Sequence, residues 1–294
     1  MQFSTQVSIY NKCIVIGKNG KEKHVLVLDA KFGDCVTPSL LELILKSFKI
    51  EENDKVLTIY GIKKDTSYLS IHVEPFYLDL SRFFRAWVDK SFVEKLKSDG
   101  FSELLYRKQS TVLSILVDIA SGINHLISQK KRVRVDPANI FISIVPESQK
   151  IIAKVGRCLV SEIAGRKGFD MIMSECSLCY RPPEFTKQKA VMSDYTESEK
   201  NAMVVWSFGI LAFQLLIGDF PFMWRNPSLK DWKSNVREID GFIAFMLDGG
   251  DNAFCSLPSE IIDLLVGCLN FNPEKRLKFE EICPILKKAL VNCI

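Results

Sequence analysis

The chain has 294 residues, and none of its apolar runs approaches the roughly 20 residues that a membrane span needs. Its first twelve residues, MQFSTQVSIYNK, lack the basic start and apolar core of a signal peptide. Repeats and low-complexity tracts are missing too. Charge of one sign is scarce: 39 Lys and Arg against 35 Asp and Glu leave a net charge of +4. That is too mild to demand a nucleic acid or a membrane surface as partner. The nine Cys are odd in number and scattered, and read as free thiols in a reducing compartment, the cytoplasm. Cys176 and Cys179 form one CxxC, but no second close pair follows it, so no metal site is expected.

What is present is the composition of a folded protein, 47% apolar and 25% charged. The length allows one large domain or two lobes with ample core. Residues 1–74 read as strands around one helix. CIVIG and HVLVLDA flank an Asn-Gly turn as a hairpin would. TPSLLELILKSF opens with a Thr cap and a Pro at the first helical position. KVLTIYGI and YLSIHVE alternate like the arms of a second hairpin. From Pro75 onward helices dominate. QSTVLSILVDIASGINHLISQ carries Leu113, Leu116, Val117, Ala120, Ile123 and Ile127 on one stripe. VVWSFGILAFQLLIG is apolar nearly all round over about 15 residues, which suits a buried core helix. The pattern predicts a small strand-rich lobe, residues 1–74, joined without a long linker to a larger helical lobe, residues 75–294.

Five segments follow one another at regular distances: DPANIFIS, KVG at Lys154 to Gly156, YRPPE ending at Glu184, VVWSFGILAFQLLIGDFPF, and CLNFNPEKRLKFEEI. In this order they resemble the eukaryotic-type protein kinase superfamily, most closely from Leu113 to Leu286. The resemblance implies an α+β, bilobal protein-kinase-like fold: a small antiparallel β-sheet lobe with one helix, and a larger α-helical lobe. It also implies that Glu184 and Arg276 form the buried ion pair that holds the activation segment. Trp206, Phe208 and Phe222 read as core aromatics.

Phosphoryl transfer in this family needs a glycine-rich loop, a strand lysine paired with a helix glutamate, a catalytic-loop Asp, and two metal ligands from DFG and the loop Asn. The sequence departs at most of these points. IGKNGKEKHV contains no GxGxxG. Leu28 or Asp29 stands at the strand-lysine position, with Lys31 the nearest lysine. Glu42 is either the helix glutamate or a solvated residue. Aligning HRDLKPEN on RVRVDPAN puts Arg132 and Val133 at the His and Arg, Arg134 at the catalytic Asp, and Asp136 at the Lys. Asn139 survives. Lys154 replaces the DFG Asp, Val155 the Phe, and Gly156 is kept. Val204 stands where the family's core helix opens with Asp. An Arg does not accept a proton near neutral pH, and a Lys repels a divalent cation.

Two pairs have exchanged sign: Arg134 with Asp136, and Lys154 with Asp29 if Asp29 takes the strand-lysine position. Internal salt bridges would then fill the cleft. The alternative is drift, with these side chains in water. The expected function is that of a pseudokinase, an allosteric or scaffolding module for other proteins such as an active kinase, with neither ATP nor magnesium as cofactor. A weakly active Ser/Thr-type kinase is the second reading. A metal-free anion site at Arg132, Arg134 and Lys154 is the third. In the segment 157–183, Ser174, Ser177 and Tyr180 are candidates for modification and Arg157 or Arg166 for phosphate receivers. Val133 removes the usual receiver, so a fixed loop is favoured. Phe101, Leu104 and Leu105, within residues 93–110, suit either a partner-binding helix or a packed one.

Overall fold

A computed structural model describes residues 7–16, 22–31, 52–64, 68–86, 89–131, 133–145, 147–156, 178–186, 195–218 and 257–293. The architecture is α+β and two-lobed. Strands β1 (Val7–Ile16), β2 (Glu22–Lys31), β3 (Ile59–Lys64) and β4 (Tyr68–Val73) form an antiparallel sheet in the order β1-β2-β4-β3. Both hairpins read from the alternation are there, β1 with β2 and β3 with β4. The helix expected in TPSLLELILKSF lies outside the described residues. A second, three-stranded sheet joins β5 (Leu78–Asp79), β6 (Ile140–Val145) and β7 (Lys150–Val155).

The helices are α1 (Leu80–Ala86), α2 (Lys90–Ser98), α3 (Ser102–Leu105), α4 (Gln109–Ser128), α5 (Glu197–Ile217), α6 (Ser259–Cys268) and α7 (Phe279–Asn292). Local chemistry starts several of them. Asp89 accepts the N–H groups of Ser91 and Phe92 at 2.9 and 3.3 Å to open α2. Thr196 and Glu199 open α5 with reciprocal bonds of 2.7 and 3.2 Å. This start lies well upstream of VVWSFG, so α5 has 21 residues where the apolar run suggests about 15. By length and composition α4 and α5 are both long enough to cross a membrane, but 56% and 72% of their apolar windows are buried inside the fold. They are the helices on which the main core is built.

The segment 93–110 packs inward rather than presenting an apolar face. Leu96, Phe101 and Leu104 are fully buried, and Leu105 is half-buried against the core. Tyr77 fixes this arrangement, with its ring 4.8 Å from that of Phe101 and its hydroxyl donating to the Asp99 carboxylate. Of the two readings of Phe101, Leu104 and Leu105, the packed helix is the one found, because burying these side chains removes their apolar surface from water.

The two sheets are tied through residues 55–57. Leu57 N–H donates to Val155 O, and Val155 N–H to Lys55 O, both at 2.9 Å. Lys55 Nζ sits 2.9 Å from Asp118 Oδ1 of α4, while Asp118 Oδ2 accepts the Ala153 N–H at 3.2 Å. Burial opposes the charge on Lys55, but hydrogen bonds to Asp118 and Asp54 outweigh it and hold its pKa above the ordinary lysine value. Gly122, one turn further along α4, lets this segment approach. A Cβ there would lie 2.5 Å from the Lys55 carbonyl oxygen.

At the far end of the helical lobe the Arg276 side chain is wholly buried and makes four hydrogen bonds. It donates to Glu184 Oε1 and Oε2 at 2.6 and 2.8 Å, to Asn270 O at 2.8 Å and to Ala202 O at 2.9 Å. Its guanidinium lies 4.9 Å from the centre of the Trp206 ring. The Ser207 hydroxyl adds a 2.7 Å bond to Tyr180 O, so α5 grips the YRPPE segment twice.

Two stability changes are expected. Glu184→Ala strands the Arg276 charge and lowers unfolding free energy by about 3–5 kcal/mol; a loss under about 1 kcal/mol in urea titration would show that the pair carries little. Gly122→Ala forces the Lys55 carbonyl away, at a cost of about 1–3 kcal/mol. Its signature in amide exchange is loss of protection at Leu57 and Val155, with α6 and α7 unchanged.

Candidate functional site

The site is built from the loop 133–139 and the hairpin that follows it. Val133 and Val135 are buried and anchor the loop, while Arg134 between them points toward the surface at 22% side-chain exposure. The alternation is that of extended chain. Asp136 turns inward and starts a 3₁₀ turn, Pro137–Asn139, by accepting the Ala138 N–H at 2.9 Å. Its other oxygen lies 3.0 Å from Arg134 Nε, a contact of opposite charges in which the N–H is not aimed at the oxygen. Burial raises the Asp136 pKa above the usual carboxylate value; Arg134 and the loop N–H groups oppose the rise, and the nearby Asp79 carboxylate adds to it.

Asn139 joins the loop to the turn at Gly156. Its Nδ2 donates to Arg134 O at 2.8 Å and to Gly156 O at 3.0 Å, and its backbone carbonyl accepts the Gly156 N–H at 2.8 Å. Two carbonyl acceptors fix which end of the amide is nitrogen. Gly156 is required here by close approach, since a Cβ would fall 2.2 Å from Asn139 Oδ1 and 2.7 Å from Phe141 Cε2.

Lys154 sits on β7 opposite Phe141 of β6. Its Nζ donates to Glu74 Oε2 at 2.6 Å, and both side chains are less than a fifth exposed. The other Glu74 oxygen accepts the Thr58 N–H at 2.7 Å, while the Glu74 N–H donates to Thr58 O at 3.0 Å. The carboxylate is thus locked at the link between the sheets, and it faces the lysine.

The sequence-derived residues fall into three groups. Arg134, Asp136, Asn139, Lys154 and Gly156 come together in one site. Glu184, Arg276 and Trp206 come together about α5, remote in sequence and serving the fold. Lys31 and Asp29 lie on β2, opposite Tyr68 and Ser70 of β4, with their side chains outside the described residues. Arg132, Glu42, Arg157, Arg166, Ser174, Ser177, Cys176 and Phe222 lie outside them as well. Tyr180 corrects the modification reading: it is buried, and its hydroxyl donates to Gln214 Oε1 inside the lobe. Val204 is buried on α5.

The sequence reading missed Glu74 as the partner of Lys154. The available signal was a charge closing the alternating strand YLSIHVE. It also missed Asp118, whose signal was an acidic residue among the apolar positions of α4. Among the described residues no group of three or more His, Cys, Asp and Glu could hold a metal. Cys179, Cys268 and Cys283 are buried free thiols, and burial pushes Cys268 and Cys283 toward the protonated form.

The arrangement holds charge in place: Arg134, a guanidinium that does not accept a proton near neutral pH, sits against Asp136, and Lys154 sits against Glu74. The protein kinase domain family matches residues 43–285. Two probable LIM domain-containing serine/threonine-protein kinases of Dictyostelium discoideum are similar to this chain. One is 26% identical over 253 residues, covering 82% of this chain and 22% of that protein. The other is 26% identical over 251 residues, covering 82% of this chain and 33% of that protein. The chain therefore spans between 22% and 33% of the length of these relatives. With the two-lobed fold, the loop and turn joined by Asn139, and a family match over most of its length, this chain belongs to the protein kinase superfamily.

Proposed function

We propose that this domain is a pseudokinase: a kinase-fold module of the cytoplasm that acts by allostery or as a scaffold for other proteins in signalling, without phosphoryl transfer. The observation that carries this reading is the 2.6 Å pair between Lys154 and Glu74. Binding of a divalent cation at that position would require breaking the pair and bringing two like charges together. The contact of Arg134 with Asp136 supports it, because neither group is then available as a general base of the usual kind. An unpaired buried charge costs several kcal/mol, and Arg134 and Lys154 each lie against a carboxylate of this chain. The carboxylate contacts of Arg134 and Lys154 also argue against a metal-free anion site at these two groups.

A weakly active serine/threonine kinase is the second reading. It draws on the names of the Dictyostelium relatives and on Asn139, whose amide nitrogen is engaged by the Arg134 and Gly156 carbonyls while its oxygen is the remaining ligating atom.

A thermal melt in millimolar ATP and magnesium separates the two. The pseudokinase reading expects a midpoint change below about 1 °C, whereas a ligand at 100 times its Kd would add about 2.7 kcal/mol and move the midpoint by several degrees. A shift of that size, together with transfer of the γ-phosphoryl group to a generic substrate, overturns the proposal.

A further inference from the structure

A cavity of about 360 Å³ lies between the start of α5, the end of α4 and the turn 273–278 that leads into α7. No residue of the loop 133–139 or of the hairpin β6–β7 lines it. From α5 come Ser198, Asn201, Ala202 and Val205, whose spacing puts them on one face of the helix. That stripe runs from polar to apolar, with Ser198 exposed and Val205 buried. Ile127 of α4 and Leu277 of the turn, both half-buried, extend the apolar side. Arg276 closes the inner wall with a side chain that is wholly buried.

The rim carries charge. Glu274, Lys278 and Glu280 line the cavity and are exposed. None of the three takes part in an ion pair among the described residues. Two carboxylates against one ammonium leave the rim one unit negative, because the Arg276 charge is already answered by Glu184 at 2.6 Å. The Asn201 carboxamide offers a donor and an acceptor beside it, the pairing that a peptide backbone needs. The volume is at the low end of the roughly 300–1,000 Å³ of small-molecule sites, so it suits a side chain or two of an inserted segment.

We infer that this cavity is a docking site for a segment of a partner protein in which an aliphatic side chain is followed by a lysine or arginine. The aliphatic group lies on Ala202, Val205, Ile127 and Leu277, and the cation meets Glu274 and Glu280. The inference deepens the scaffold reading and rests on it for the class of partner. Arg276 is at once the wall of the cavity and the donor that holds Glu184. A single side chain therefore joins the docking site to the YRPPE segment.

The test is an NMR titration of the whole chain, labelled at its Ile, Leu and Val methyl groups, with millimolar acetyl-Gly-Leu-Arg-Gly-amide. Two control peptides replace the Leu by Ala or the Arg by Glu. Saturable shifts at the Ile127, Val205 and Leu277 methyls, lost with the Ala peptide and about three- to fivefold weaker with the Glu peptide, support the site. The surface variant Glu274→Gln/Glu280→Gln is expected to erase the preference for Arg over Glu. No saturable shift at these methyls, or one midpoint for all three peptides, overturns the inference. Unchanged binding by Ala202→Leu, which fills the floor, overturns it as well; should that variant not fold, the three peptides on wild type decide. Failure here leaves the pseudokinase reading standing, since the melt with ATP and magnesium reads that separately. Phosphoryl transfer alongside peptide binding overturns the pseudokinase reading and leaves the docking site in place.

Discussion

A single carboxylate, Asp118, has to be answered from outside its own helix, and the answer fixes how the two lobes meet. It projects from α4 into the interior, where an isolated ionised group would cost several kcal/mol. One oxygen accepts a backbone N–H from β7 and the other faces Lys55, which arrives from the segment just before β3. Sheet, hairpin and helix therefore share one electrostatic joint. The ladder of Lys55 and Leu57 with Val155 and the cleft at Gly122 are the backbone counterpart of the same joint. Moving any one of the three elements would expose a charge that the other two now satisfy.

Downstream of that joint, Asn139 ties the loop 133–139 to the turn at Gly156. The parts that shape the chain, Pro137, Asn139 and Gly156, persist because their work is steric and hydrogen-bonded. Electrostatic satisfaction here is local for Arg134 and Asp136, two residues apart, and long-range for Lys154 and Glu74, 80 residues apart.

That difference also marks what the sequence reveals. Both hairpins, α4 and the core of α5 are legible because period, turn residues and apolar stripes are properties of neighbouring residues. The Arg134–Asp136 exchange is legible for the same reason. The Glu184–Arg276 pair comes from family resemblance, since nothing local to either residue announces the other. The partner of Lys154 is not legible: several carboxylates could neutralise a lysine, and only the packing of β7 beside the link selects Glu74. Phe101 and Leu104 leave two readings open in the sequence, because an amphipathic stretch looks alike whether its apolar face meets a partner or its own core. The contact with Tyr77, from another element, decides the matter.

The length of α5 carries a consequence for the life of the chain before it is folded. Its 18-residue apolar window, of mean hydropathy 1.5, leaves the ribosome as one segment, and its full concealment waits for partners that are synthesised later, among them Phe279 and Cys268. Until then the nascent chain presents an apolar span with nothing to cover it, a substrate for holding chaperones and for membrane-targeting machinery alike. The C-terminal helices α6 and α7 thus complete the cover of α5, whose Gly209 meets Cys268 and whose Phe208 ring lies 5.6 Å from that of Phe279.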